Sequence, residues 1–502
     1  MKIKAYINQI DSIIAAIIGF YAIHLYTKYS GVGLSPDSIM YASTATNIRE
    51  HASLITFNKT PLVFFPVFYP FFLSVIQFFS GLSPIQAGAY INQFLFAFVI
   101  FITGWIVSKF VTTSRIYKCI ILISVILSPG LLEVYSYLWS ETLFIFETLL
   151  FVIAFKKYLD QPNEKAFLLI SLITAISCIT RYAGVTIIGT GCLLILLNHN
   201  FNFRKKIGHI IFYGLASISL LAANLVLNSL ATGLSTGTRE PSITPFTKNL
   251  YYIGTVILDW GSASKELYPF APYLTALILI GLIGILAWKT YTKRANSYER
   301  VIIAYGVVYC LFILITASIS RYERLNSRLL SPLIIPLIIG CTSWVPNVLV
   351  TLQTKLKYIF SGIAILLMLV FYFVSYQTDW QRYDDESDYG VPGYSDDDWN
   401  KSEFVKYLKK NSAMFKPGVP IVSDANEAVY LFTGMQSELL PHKFFKADVQ
   451  KFYARKRYYI IWFSNLSNTE LLDLKDISKI KKLTRIGGVK EGAVYYYDEK
   501  NK

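Results

Sequence analysis

Between Ile13 and Tyr376 apolar runs recur, each approaching the ~20 residues that cross the hydrocarbon core of a bilayer, and nothing else in the chain restricts its fold as much. A segment in lipid must satisfy its backbone polar groups internally, so each run reads as a helix. Only 16% of the 502 residues are charged, against ~25% in soluble domains. The expectation is an all-α polytopic membrane protein.

The net charge of +15 raises the question of a nucleic-acid partner. Its location answers against one. Residues 377–502 hold 20 basic and 19 acidic side chains, leaving 27 basic and 13 acidic in the first 376. The excess sits between the apolar runs, as the positive-inside bias of cytoplasmic loops requires. The five cysteines (Cys119, Cys178, Cys192, Cys310, Cys341) all fall in apolar runs and match no metal spacing. They read as small buried residues rather than a disulfide framework. The N-terminal MKIKAYINQID runs into a span with no small-residue cleavage site, and reads as a retained first helix.

Eleven spans are expected, near 12–27, 86–108, 118–136, 142–156, 166–180, 183–198, 209–229, 271–289, 301–319, 328–346 and 358–376. With the N-terminus cytoplasmic, 17 of the 27 basic residues face the cytosol, among them Lys2, Lys4, Arg204-Lys205-Lys206, Lys293 and Arg294. The C-terminus then lies outside a cytoplasmic (inner) membrane. Two exterior loops are long, 28–85 and 230–270. The first contains PLVFFPVFYPFFLSVIQFFSG, whose Pro61, Pro66 and Pro70 favour helices along the membrane interface over one more span. The turn at Arg181-Tyr182 is tight enough for a re-entrant hairpin. Residues 377–502 form a separate exterior α/β domain: an acidic loop, RYDDESDYGVPGYSDDDWN, then a strand, turn and helix in VPIVSDANEAVYLFTG, then strands in RYYIIWFSN and GAVYYYDEK.

Charges at membrane depth are costly and so mark function. On this topology Asp37, Glu133, Glu141, Arg181, Arg239, Arg321, Arg324 and Arg328 all lie at exterior ends of spans and can converge on one cavity. A carboxylate and several guanidiniums suit a reaction in which a base deprotonates an acceptor while cations hold a departing phosphate. Each has a plainer alternative. Asp37, after Ser35-Pro36, stands where a helix cap would, and so does Glu141 in WSETLF. Arg181 with Tyr182, and Arg321 with Arg324, stand where interface anchors do. Glu133 and Glu147 read as interior carboxylates. Arg328, at a span entrance, is the better phosphate ligand. His51, one of five histidines, follows on the same amphipathic stretch as Asp37 and Tyr41, where a lone histidine is more often a surface residue than a catalyst. Phosphate loops, zinc spacings and nucleophile elbows are absent.

The order of these segments resembles the integral-membrane C-type (GT-C) glycosyltransferases, the superfamily of the protein O-mannosyltransferases and lipid A aminoarabinose transferases. The bacterial glycosyltransferase-39-like branch is the nearest. PDSIMYASTATNI resembles its Asp-x-x-x-Tyr first-loop motif, and FFPVFYPFFLSVIQFFSGLSP its proline-aromatic segment. LSPGLLEVYSYLWSETLF resembles its Pro…Ser-Glu segment, TRYAG its Arg-Tyr-Gly turn, LNSLATGLSTGTRE its second-loop entrance and SRLLSPL its late Arg-x-x-x-Pro element. The tail with VSDANEAVYLFTG is similar to exterior domains of such proteins.

The resemblance implies an inverting sugar transfer from a polyprenyl-phosphate carrier to a glycan, lipid or protein acceptor on the extracytoplasmic face. It implies Asp37 as base or acceptor-orienting carboxylate, and Glu141 as a supporting carboxylate. Arg181, Arg239 and Arg328 become phosphate or loop ligands, with Tyr41, Tyr182 and His51 as substrate contacts. Some relatives carry Asp-Glu where this chain has Asp37-Ser38, which leaves a divalent metal ion at Asp37 an open possibility; no other cofactor is implied. A transporter or flippase of lipid-linked saccharides would place charges along mid-span with related halves. An assembly subunit would depend on residues 377–502 instead.

Overall fold

The computed structural model describes residues 9–111, 114–292, 297–321, 323–466 and 468–501. Lys2, Lys4, Lys293 and Arg294, which enter the charge count above, lie outside them. All eleven apolar windows are helical. Seven described helices are long and apolar enough to cross a membrane: Ile10–Thr27, Pro84–Phe110, Phe203–Thr232, Lys265–Tyr291, Tyr298–Ile319, Ser327–Thr351 and Thr354–Tyr389. An eighth arises if Arg115–Ile126 and Pro129–Ser136, bent by 48°, are one span. The bend falls where Ser128 leads into Pro129, which cannot continue the backbone ladder. The chain is a multi-pass membrane protein.

Three further helices fill the bundle. Ser140–Asp160 is long but carries five charges, with Glu141 and Glu147 buried. Glu164–Thr180 and Val185–Leu196 are joined at Arg181 by one turn, Tyr182–Gly184, and rise only about 26 and 18 Å at 1.5 Å per residue. The proline-rich segment yields Phe68–Ser80, a 13-residue helix of about 20 Å, too short for a ~30 Å core. All five cysteines are free.

Residues 377–502 hold a five-stranded sheet in the order β2-β1-β3-β5-β4: β1 Ile421–Ser423, β2 Glu438–Leu439, β3 Arg457–Phe463, β4 Thr484–Val489 and β5 Gly492–Asp498. β1 runs parallel to β2 and β3, while β5 pairs antiparallel with β3 and β4. The reading of Arg382 to Tyr389 as loop is corrected. The last helix runs unbroken from Thr354 to Tyr389, because Arg382 Nε bonds Glu386 Oε1 at 2.6 Å one turn on. Its guanidinium also lies over the Tyr26 ring, and the Tyr26 hydroxyl donates to the Asp379 carbonyl at 2.7 Å.

The tail is fastened to the segment that follows the first helix and, at Arg321, to the end of Tyr298–Ile319. Leu34 N donates to Ser395 Oγ, Tyr394 N to the Leu34 carbonyl and Val391 N to Ser30 Oγ. Gly393 sits at φ +103°, where a Cβ would meet the Leu34 carbonyl oxygen at 2.4 Å. Tyr430 stacks on Phe57 at 4.7 Å, and Arg321 pairs with Glu470 at 2.6 Å.

Candidate active site

Backbone stitches draw distant segments to one end of the bundle. Gly33 N donates to the Ser136 carbonyl at 2.8 Å, and Leu138 N to the Gly33 carbonyl at 3.0 Å. A Cβ on Gly33 would strike Val391 and Tyr137. Trp139 Nε1 donates to Ser35 Oγ at 2.8 Å. These bonds set the start of the Pro36–His51 helix beside the start of Ser140–Asp160. Across the cavity, Arg321 N donates to the Glu240 carbonyl and Ser242 N to the Ile319 carbonyl, which brings Arg239 toward Arg328. Tyr182 Oη donates to the Val63 carbonyl at 3.0 Å and ties down the proline-rich segment.

Asp37 is not the cap of its helix. Ser35 is the N-cap, in a reciprocal capping box with Ser38, and Pro36 opens the first turn. The Asp37 carboxylate is therefore free for Arg328 Nη2, 2.6 Å away. Arg328 Nε reaches Glu141 Oε1 at 2.6 Å, and Arg181 Nη1 reaches Glu141 Oε2 at 2.6 Å. Arg181 also donates to Ser140 Oγ at 2.8 Å, which lies 3.3 Å from Tyr41 Oη. The Arg328 guanidinium lies over the Trp139 ring at 4.5 Å. The result is an alternating chain, Asp37–Arg328–Glu141–Arg181, graded in exposure: Asp37 27%, Arg328 14%, Arg181 15%, Glu141 0%. Glu141 is no cap either, since its helix has Trp139 at that position without a side-chain bond. Its place in the first turn puts its charge at the positive end of the helix dipole.

Asp37, Tyr41, Arg181, Tyr182, Arg239 and Arg328 line a cavity of ≈ 280 Å³, together with Arg321, Glu323, Ser140 and an apolar side that includes Phe64, Phe65, Phe312 and Ile313. Glu141 lies beneath it. Arg239 has no carboxylate partner among the described residues; its nearest bond is Thr236 Oγ1 at 3.5 Å. Burial raises the Tyr41 hydroxyl, keeping it a neutral donor, and raises the Glu323 carboxyl.

His51 is exposed beside Glu50, about 21 Å along the helix from Asp37 at 1.5 Å per residue, and does not line the cavity. Glu147 bonds Thr180 Oγ1 at 2.8 Å, while Glu133 and Arg324 line neighbouring cavities. Ser140, Trp139 and Glu323 join the site without having been singled out from sequence. Their signal is adjacency to Glu141 and Arg324. Asp37 already holds a cation, the Arg328 guanidinium. Among the described residues no three His, Cys, Asp or Glu side chains gather to ligate a metal.

No protein-family model matches the chain, and no curated protein sequence matches it. Solved structures do match its fold over nearly the whole length. ArnT from Cupriavidus metallidurans in the apo state has a TM-score of 0.58 at 11% identity, covering 100% of this chain and 99% of that one. The same protein bound to undecaprenyl phosphate gives 0.56 at 10%, covering 96% of each. The oligosaccharyltransferase AglB from Archaeoglobus fulgidus, in complex with an inhibitory peptide and a dolichol-phosphate, gives 0.53 at 10%, covering 92% of this chain and 70% of that one. The chain has the GT-C fold of membrane glycosyltransferases, with a small C-terminal sheet domain.

Proposed function

We propose that this protein is a glycosyltransferase that takes a sugar from a polyprenyl-phosphate carrier and delivers it to an acceptor on the extracytoplasmic face. The observation that carries this reading is Asp37 at the wall of a cavity where four guanidiniums, Arg181, Arg239, Arg321 and Arg328, outnumber the two carboxyls of Asp37 and Glu323, beside an apolar side. The matched ArnT structure with undecaprenyl phosphate supports a lipid-phosphate donor. The basic excess between spans supports the exterior placement.

Asp37 accepts the proton from an acceptor hydroxyl as its oxygen attacks the anomeric carbon. The bond from that carbon to the phosphate oxygen breaks on the opposite face, so the configuration inverts. The electron pair leaves with the polyprenyl phosphate, and its added charge is met by Arg181, Arg328 and Arg239. Glu141 touches neither substrate; it is a positioning residue that fixes both half-buried guanidiniums. Arg239, exposed and unpaired among the described residues, is free to close on the phosphate. Tyr41 orients Ser140 and the acceptor side of the cavity.

The test is Asp37→Asn. Arg328 keeps Glu141 in this variant, so the fold survives, and transfer falls by about 10²–10⁴-fold, the size of a general-base contribution. Undiminished transfer by a correctly inserted Asp37→Asn protein removes Asp37 from the chemistry.

A further inference from the structure

Arg321 stands where the Asp37 cavity meets the tail. Its side chain lines that cavity. Its backbone is pinned, with Arg321 N donating to the Glu240 carbonyl at 2.8 Å, one residue past Arg239 of the same wall. Its guanidinium is held from the other side, by the tail. Nη2 meets Glu470 Oε1 at 2.6 Å, and the guanidinium lies over the Phe444 ring at 3.8 Å. Those two tail residues are themselves set side by side: Lys443 N donates to the Glu470 carbonyl at 2.8 Å, and Leu472 N to the Pro441 carbonyl at 3.0 Å.

The grip adds little to the tail's attachment. Glu470 is 49% exposed, and an ion pair so open to water contributes little to stability. The tail is already fastened near Asp37 through Ser30, Leu34 and Phe57. The larger effect falls on Arg321. A free arginine side chain must give up several rotors to hold a ligand, and one already seated on a ring and a carboxylate has given them up beforehand. The bond to Glu470 is its one side-chain hydrogen bond among the described residues, so Nε and Nη1 remain as donors, in a form suited to phosphate oxygens. Arg239, on the same wall, has no such hold.

We propose that Arg321 is a ligand of the donor's phosphate, and that Phe444 and Glu470 are its positioning residues, so that the tail completes the donor site. This rests on the transferase reading above, and its test is binding rather than transfer. The full-length protein in lipid nanodiscs is given undecaprenyl phosphate and, separately, undecaprenol; the ratio of the two affinities isolates the share of the phosphate. Arg321→Gln lowers that ratio about tenfold, the scale of one charge-assisted bond. Phe444→Leu, which alters no charge, lowers it about threefold, the scale of one side chain that must now be immobilised on binding. Phe444→Tyr keeps the ring and the parental ratio. In the Arg321→Gln background Phe444→Leu has no further effect, whereas a merely structural role persists there. Glu470→Gln sets two forces of opposite sign against each other. Loss of its charge alone strengthens phosphate binding, and loss of the grip weakens it. Weakening is expected, because solvent screens the half-exposed carboxylate. If Phe444→Leu does not fold, Glu470→Gln decides. A ratio unchanged in Arg321→Gln or in folded Phe444→Leu, a Phe444→Leu effect equal in both backgrounds, or a ratio raised in Glu470→Gln overturns the proposal. A parent protein that holds undecaprenyl phosphate no better than undecaprenol overturns the lipid-phosphate donor as well, so the two failures are told apart.

Discussion

Glu141→Gln tests whether the buried carboxylate is what holds the site together. Glu141 has no exposure and is the sole described carboxylate shared by Arg181 and Arg328, one on each oxygen. Removing one partner of a buried ion pair costs about 3–5 kcal/mol, because the remaining charge is left uncompensated. Here Arg181, at 15% exposure, loses the one carboxylate the described residues give it, while Arg328 keeps Asp37 at 2.6 Å. Arg181→Gln is milder. Glu141 keeps Arg328, and the loss is one charged hydrogen bond, about 1.5–3 kcal/mol. The order of the two variants is thus fixed by who is left unpaired. At no more than about 2 °C per kcal/mol for a chain this long, Glu141→Gln lowers the melting temperature in nanodiscs by up to about 6–10 °C, and Arg181→Gln by about half that. Melting of Glu141→Gln within about 1 °C of the parent, or a larger drop for Arg181→Gln, refutes the argument that the carboxylate offsets the Arg181 charge.

Arg239→Ala weakens donor binding about tenfold, the scale of one charged contact, with a smaller change in kcat; an unchanged KM for the polyprenyl donor removes Arg239 from the phosphate site. Asp424 and Glu427, in the tail near Asp37, are both raised by burial to about 7. Between about pH 4 and 7 the folded tail binds more protons than the unfolded chain, so its stability falls as pH rises through that window. Asp424→Asn flattens that slope, and thermal unfolding from pH 5 to 8 measures it; a slope unaltered in the variant contradicts the assignment. Gly393→Ala places a Cβ against the Leu34 carbonyl at a positive φ, costing about 1–3 kcal/mol of local strain. Faster protease cleavage between residues 390 and 400 reports the loosened tail, and parental kinetics argue that Gly393 is not needed there.

The helical windows were readable because lipid leaves a chain so few backbone options. Asp37 and Arg328 stood out for a related reason, as costly charges in an apolar sequence. What sequence could not display is who pairs with whom. Glu141 lies 40 residues from Arg181 and 187 from Arg328, and no local periodicity encodes such a meeting. At Asp37 the capping alternative falls away, because Ser35 fills that position two residues earlier. The acidic stretch from Arg382 reads as loop by composition, yet the Arg382–Glu386 bond and packing on Tyr26 hold its first part helical. β4 was invisible because Gly487 and Gly488 interrupt its pattern, and its partner β5 supplies the order that its own residues lack.

The chain Asp37–Arg328–Glu141–Arg181 draws on segments that leave the ribosome far apart in time. Through the synthesis and insertion of residues 142 to 327, Glu141 has at most Arg181 for company, and Asp37 has no counterion. A nascent chain shorter than 328 residues therefore cannot assemble the charge pattern. The protein is silent while being made, and becomes competent only once its penultimate membrane segment is delivered.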